Sequence, residues 1–322
     1  NNTPQFCFWA FNGEVITVVQ QLYERIYKEN KYPDLWFYWD GKPLLLYNAD
    51  PVHDANGGHS AYKDGKHDYS DEVKNFFTLR NMWWGYYEWA GKRFIGTEDN
   101  WSFGYSMADP RIKSMTPEQL ASKHDGKIEE VAVTPAQHPV TMTDVPMGVG
   151  KSWSKRDGEP KLNEYDLPDS AYVPWLGRKV SDPEGYGIYF QERWDDALSA
   201  NPQFLYLNDW NEWTAGKYNG DVMWLGRKNP FMFVDQYNAE FNRTIQPMKG
   251  GYTDNYYMQM AQNIRRYKGV RPVPVNRHIH KMSVDGSFAD WDRIDVVYRD
   301  TKGDVFHRDA KGYGGLHHKD TS

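Results

Sequence analysis

Asn208, Asp209, Trp210, Asn211, Glu212 and Trp213 follow directly on an apolar run, Phe204-Leu205-Tyr206-Leu207. The run is short and β-prone, as a buried parallel strand is. A strand that crosses a core and then delivers a carboxylate between two indoles suits sugar chemistry. Indoles stack on the apolar faces of pyranose rings, and an acid works at the anomeric carbon. The alternative is a strand end whose tryptophans plug a core while Glu212 sits in a structural ion pair. Glycosidic hydrolysis ordinarily needs a second carboxyl group. Asp235 is the first candidate, because it ends the next strand-like run, Phe231-Met232-Phe233-Val234. Neighbouring barrel strands carry their C-terminal side chains over one opening. Glu98 and Asp99, beside Trp101, come second. Asp209 lies an odd number of residues from Glu212 and points away from it in extended chain. Trp210 and Trp213 are candidate sugar platforms, with one of the two in the core, and Asn211 can orient Glu212 or bind a hydroxyl. Asn12, Gln137 and His138 end other strand-like runs and complete the candidate substrate contacts.

Those residues need elements to position them. Residues 6–11, FCFWAF, predict a strand, and 14–30 a helix with Val15, Val18, Val19, Leu22, Ile26 and Tyr27 on one face. Strands follow over 36–40 and 44–47 around the Asp40-Gly41-Lys42-Pro43 turn. Ser70-Asp71-Glu72 caps a helix that runs through Val73, Phe76, Phe77 and Leu79. A weak strand at Phe94-Ile95 leads to Glu98, Asp99 and Trp101. Thr116-Pro117-Glu118 starts a short helix, and Val131-Ala132-Val133 is a buried strand ending near Gln137 and His138. Helices over 183–201 and 254–268 complete an alternation of strand and helix. The fold class is therefore α/β, a (β/α)8 TIM-type barrel over residues 1–269 with its N-terminal strands missing from this chain. No Gly-rich phosphate fingerprint follows any strand, which argues against an open dinucleotide-binding sheet. Residues 270–275, VRPVPV, read as a linker, and 276–322 as the start of an all-β sandwich module.

Composition removes several function classes. The chain has 322 residues, with Lys+Arg 38 against Asp+Glu 44, a net charge of -6. It has no basic block, which argues against nucleic acid and anionic membranes as partners. No apolar run is long enough to span a bilayer. The 14 Trp and 23 Tyr exceed what a core of this size requires. Trp101, Trp153 and Trp175 lie in polar contexts that fit a carbohydrate-binding surface, with a tryptophan-rich core as the alternative. A single cysteine, Cys7, excludes an internal disulfide. His53, His59 and His67 match no compact metal-ligand spacing, so neither metal nor cofactor is expected. The expectation is an exported monomer (secreted, periplasmic or at the cell surface) acting on a polysaccharide or glycan, present here as a fragment at both ends.

Two segments carry a family resemblance. Asp209-Trp210-Asn211-Glu212-Trp213-Thr214-Ala215-Gly216 resembles the WNEW-x-EG strand end of proteins related to glycoside hydrolase family 99, the endo-α-mannosidase-like clan. Asp40-Gly41-Lys42-Pro43-Leu44-Leu45-Leu46-Tyr47 resembles the same group's DGKPLLLIY strand. The resemblance implies a (β/α)8 hydrolase barrel with Glu212 as a catalytic carboxylate. The tail, DGSFADWDRI with YRDTKGD, is similar to the opening of family 9-like carbohydrate-binding modules. One departure bears on mechanism. The family's second glutamate, taken as its acid/base, falls on Ala215 here, so its mechanism and its mannan specificity do not transfer whole. A non-catalytic glycan-binding protein and a glycosyltransferase-like protein of polysaccharide synthesis remain the rival readings.

Overall fold

The computed structural model describes residues 4–10, 15–47, 69–85, 87–89, 92–105, 107, 109–135, 148–150, 160–162, 170–181, 183–208, 210–211, 217–218, 223–224, 227–228, 232–233, 244–250, 252–269, 278–294, 309–311 and 317–319. Residues 1–245 and 246–322 form two compact units.

In the first unit, strands β1 (Phe8–Ala10), β3 (Lys42–Tyr47), β4 (Thr78–Gly85) and β5 (Asn100–Tyr105) lie side by side in that order, all parallel. The short β2 (Tyr38–Trp39) pairs antiparallel with β3. Further on, β6 (Ser122–His124) is antiparallel to β7 (Lys127–Val133), and β8 (Phe204–Leu207) is parallel to β7 with Leu205 opposite Val131. Helices fill the returns: α1 (Val15–Leu22) after β1, α2 (Asp71–Phe76) before β4, the short α3 (Pro117–Leu120) before β6, and α4 (Ile188–Ala200) before β8. The unit is a mixed α/β structure on a parallel sheet.

Local chemistry explains these elements. In β3, Pro43, Leu44, Leu45 and Leu46 are all buried, as expected of a strand covered on both faces. Ser70 caps α2, its hydroxyl accepting from the Val73 amide at 3.3 Å. Thr116 and Gln119 close a reciprocal capping box on α3. Asp40-Gly41 (φ 48° and 77°) and Asp125-Gly126 (φ 50° and 72°) make the two-residue turns of the β2–β3 and β6–β7 hairpins. Both residues of such a turn need positive φ, which Asp tolerates and Gly adopts freely.

The sheet is curled. Strands pack about 4.8 Å apart, so β1 and β5, separated by two strands, would lie about 14 Å apart in a flat sheet. Yet the rings of Trp9 on β1 and Phe103 on β5 have centroids 5.2 Å apart. On the concave side Leu44, Leu46, Met82 and Trp101 form one core, joined by Cys7, Phe37, Trp39, Phe103, Phe204 and Tyr206. Burial pushes the Cys7 thiol up to about 11. A second core lies between the sheet and α1, built on Val15, Ile16, Val19, Tyr23 and Tyr27 together with Leu45, Val73 and Phe77.

Four sequence expectations change. The helix beginning at Asp71 ends at Phe76, and Thr78 to Gly85 is a strand, so Leu79 belongs to β4. The strand expected at Phe94-Ile95 is instead β5, beginning at Asn100. The buried face of α1 includes Ile16 and leaves Val18 exposed, and a π turn over Tyr23–Tyr27 follows it with Tyr23 and Tyr27 both buried. Met232–Phe233 pairs antiparallel with Lys217–Tyr218 rather than extending the parallel set. The helix over 183–201, by contrast, is present as α4, and Phe204–Leu207 is a parallel strand.

The second unit holds α5 (Asn255–Lys268), an irregular stretch over 278–294 and an antiparallel pair, Asp309–Lys311 with His317–Lys319. The linker expected over 270–275 lies outside the described residues. Among the described residues, no helix is long and apolar enough to cross a membrane.

Candidate functional site

Parallel strands have two chemically different ends, and in this chain both carry aromatic and polar side chains. At the strand starts, Arg80 of β4 and Glu129 of β7 meet on the concave side. The guanidinium donates from Nε to Glu129 Oε2 at 2.7 Å and from Nη2 to Oε1 at 2.6 Å, a bidentate fork. The Trp39 indole donates to Oε1 at 2.7 Å and the Trp101 indole to Oε2 at 2.6 Å. Both charged side chains are buried. Burial acts to raise the Glu129 carboxyl's pKa, but the hydrogen bonds from Arg80, Trp39 and Trp101 outweigh it and hold the group below the usual carboxylate range. Arg80 Nη2 also reaches Asp40 Oδ2 at 2.9 Å, and Asp99 accepts a hydrogen bond from His124 Nδ1 at 2.7 Å. That bond raises the pKa of His124. Every oxygen of Glu129 is used twice, leaving little for a substrate. This end of the sheet is a closed structural plug.

Glu130, the next residue, faces the other side of β7, as strand alternation requires. It is fully buried, and its Oε2 accepts from the Ser102 amide at 3.1 Å and the Ser122 hydroxyl at 3.2 Å. Its Oε1 has no partner among the described residues. Burial pushes this carboxyl well above the ordinary value of about 4.5. The folded protein then holds a proton that the unfolded chain has lost. Stability is fullest below that ordinary value and falls as pH rises towards the folded pKa, by up to about 1.4 kcal/mol per unit. Glu130→Gln removes the titration. Urea midpoints of wild type and variant should therefore diverge in the variant's favour between about pH 4.5 and pH 6. Parallel curves would mean that Glu130 is ionised in the fold. Behind the same strand lies Arg193 of α4, buried, 2.8 Å from Asp196 and with its guanidinium over the Tyr189 ring.

The C-terminal strand ends look different. Asn208 follows β8, donates its backbone amide to Val133 of β7 at 2.9 Å, and donates from Nδ2 to the Phe103 carbonyl of β5 at 2.9 Å. Asn208 thus ties the end of β8 to β7 and β5. Two residues on, Trp210 is 52% exposed, and Asn211 is exposed beside it. The Trp210 carbonyl accepts from the Ile245 amide at 3.1 Å, which anchors the backbone under the indole. Trp9, partly exposed against Phe103, supplies another ring near these ends.

The sequence-derived candidates divide accordingly. Trp210 and Asn211 stand at the C-terminal end of β8 and are accessible. Trp101 is 2% exposed and bonded to Glu129, and with Glu98 it lies at the start of a strand, because β5 begins at Asn100. Neither reaches the C-terminal ends. Glu98 accepts from the Gly126 amide at 3.1 Å. Asn12, Gln137, His138, Asp209, Glu212, Trp213 and Asp235 lie outside the described residues, as do His53, His59 and His67. The antiparallel pairing of Met232–Phe233 removes the parallel-neighbour argument that placed Asp235 beside Glu212. Among the described residues, no group of three or more His, Cys, Asp or Glu side chains is arranged to hold a metal. Sequence reasoning missed Arg80, Glu129 and His124. Comparison with protein-family models, with curated proteins and with solved structures gave no match.

Proposed function

We propose that this chain is a glycoside hydrolase built on a (β/α)8 barrel of the family 99-like kind, acting on a polysaccharide or complex glycan at the C-terminal ends of its parallel strands. One observation carries the reading. The exposed indole of Trp210 and the exposed Asn211 follow β8 on an anchored backbone and immediately precede Glu212. An accessible indole beside a polar side chain and a carboxylate is the set that sugar binding and acid catalysis require. The curled parallel sheet, with its strands in sequential order, supports the barrel. Glu212 is the catalytic carboxylate, and its partner acid comes from another strand end. The tail from 276 belongs to a β-sandwich glycan-binding module, and the protein works outside the cytoplasm.

New reducing ends released from a panel of plant, algal and host glycans would support hydrolysis; none from any glycan, with the protein folded, would sink it. Trp210→Ala should raise KM about tenfold through lost stacking, with the melting temperature unchanged. An unchanged KM would remove Trp210 from the site. Ala215, in place of the family's second glutamate, favours a second reading, a glycan-binding protein that retains the aromatic cleft without turnover.

A further inference from the structure

A second exposed aromatic feature lies apart from the strand ends in sequence. Ser170–Val173 and Arg178–Ser181 form an antiparallel hairpin with Ala171 opposite Val180 and Tyr172 opposite Lys179. One face is anchored, since Ala171, Val173, Val180 and Ile188 form a buried cluster with Tyr186 against it. The tip is fixed as well. Pro174–Leu176 makes a 3-10 turn, and Gly177, at φ 66°, donates its amide to Val173 at 3.0 Å and to Pro174 at 3.2 Å. Glycine adopts this positive φ freely. This tip holds Trp175 at 45% and Leu176 at 42% exposure.

Arg178 and Lys179 follow the tip, both exposed and neither in an ion pair among the described residues. Two exposed cations beside an exposed indole, on a chain of net charge -6, are complementary to an anion with a flat apolar face. We infer that the 170–181 hairpin is an auxiliary binding finger for an acidic polysaccharide, with Trp175 stacking on a sugar ring and Arg178 and Lys179 pairing with its carboxylate or sulfate groups. A guanidinium meets either oxyanion with a two-pronged donor set. The polymer is held here while the strand-end site acts on it or merely binds it. The inference takes only the ligand class from the glycan reading.

Affinity electrophoresis through gels containing polygalacturonate, dextran sulfate or neutral dextran tests it. Wild type should be retarded by at least one anionic polymer and not by dextran, and which one it is separates carboxylate from sulfate. Trp175→Ala should weaken that binding at least tenfold at any salt concentration. Arg178→Gln with Lys179→Gln should weaken it at low salt and flatten its salt dependence. Both variants alter exposed tip positions, so their melting temperatures should match wild type. No retardation of wild type, equal retardation by dextran, or full binding by the variants would overturn the finger. Failure of reducing-end release would sink hydrolysis while leaving this binding readout intact.

Discussion

Arg80→Met is expected to destabilise the first unit by about 3–5 kcal/mol, the range seen when one partner of a buried ion pair is removed. The substitution keeps most of the side-chain volume but leaves Glu129 buried, with its negative charge supported only by the Trp39 and Trp101 indoles. Two neutral donors are a weak substitute for a bidentate guanidinium at 2.6 and 2.7 Å. The carboxyl's pKa should then rise, so the variant gains stability relative to wild type as pH falls. Adding Glu129→Gln removes the stranded charge while keeping an acceptor for an indole, and it should recover much of the loss. Urea unfolding of the single and double variants reads both effects. A single-variant loss below about 1 kcal/mol would place the pair among weakly contributing surface bridges and contradict the plug.

The same cluster shows where the sequence was legible and where it was not. Local signals were readable: Ser70 and Thr116 as caps, Asp40-Gly41 as a turn, and Phe204-Leu205-Tyr206-Leu207 as a parallel strand all depend on neighbouring residues only. Long-range pairing was not. Arg80 sits in Thr78-Leu79-Arg80-Asn81, a stretch whose polar residues hide a strand, because the guanidinium's partner lies 49 positions away. One clue was present. In Lys127-Ile128-Glu129-Glu130-Val131-Ala132-Val133, two carboxylates run into a strand with no solvent face, and each must then be paired or protonated. Glu129 takes the first course, and burial pushes Glu130 towards the second. Trp101 misled for a related reason. Its polar neighbours, Asp99 and Asn100, are a strand entrance rather than a strand exit. The reading of Trp210 rested on the strand directly before it, and its exposure at that strand's end fits.

The chain's two strand ends therefore have different expected sensitivities. Changes at Arg80, Trp101 or Glu129 should act on stability, changes at Trp210 on KM and changes at Glu212 on kcat. Glu212→Gln tests the central claim most directly, because it removes proton transfer while nearly preserving shape. General acid–base catalysis contributes about 10²–10⁴-fold, so kcat for reducing-end release should fall by that factor. Glycan affinity and melting temperature should hold. A Gln variant that releases reducing ends at the wild-type rate would contradict the assignment of Glu212 and, with it, the proposed mechanism.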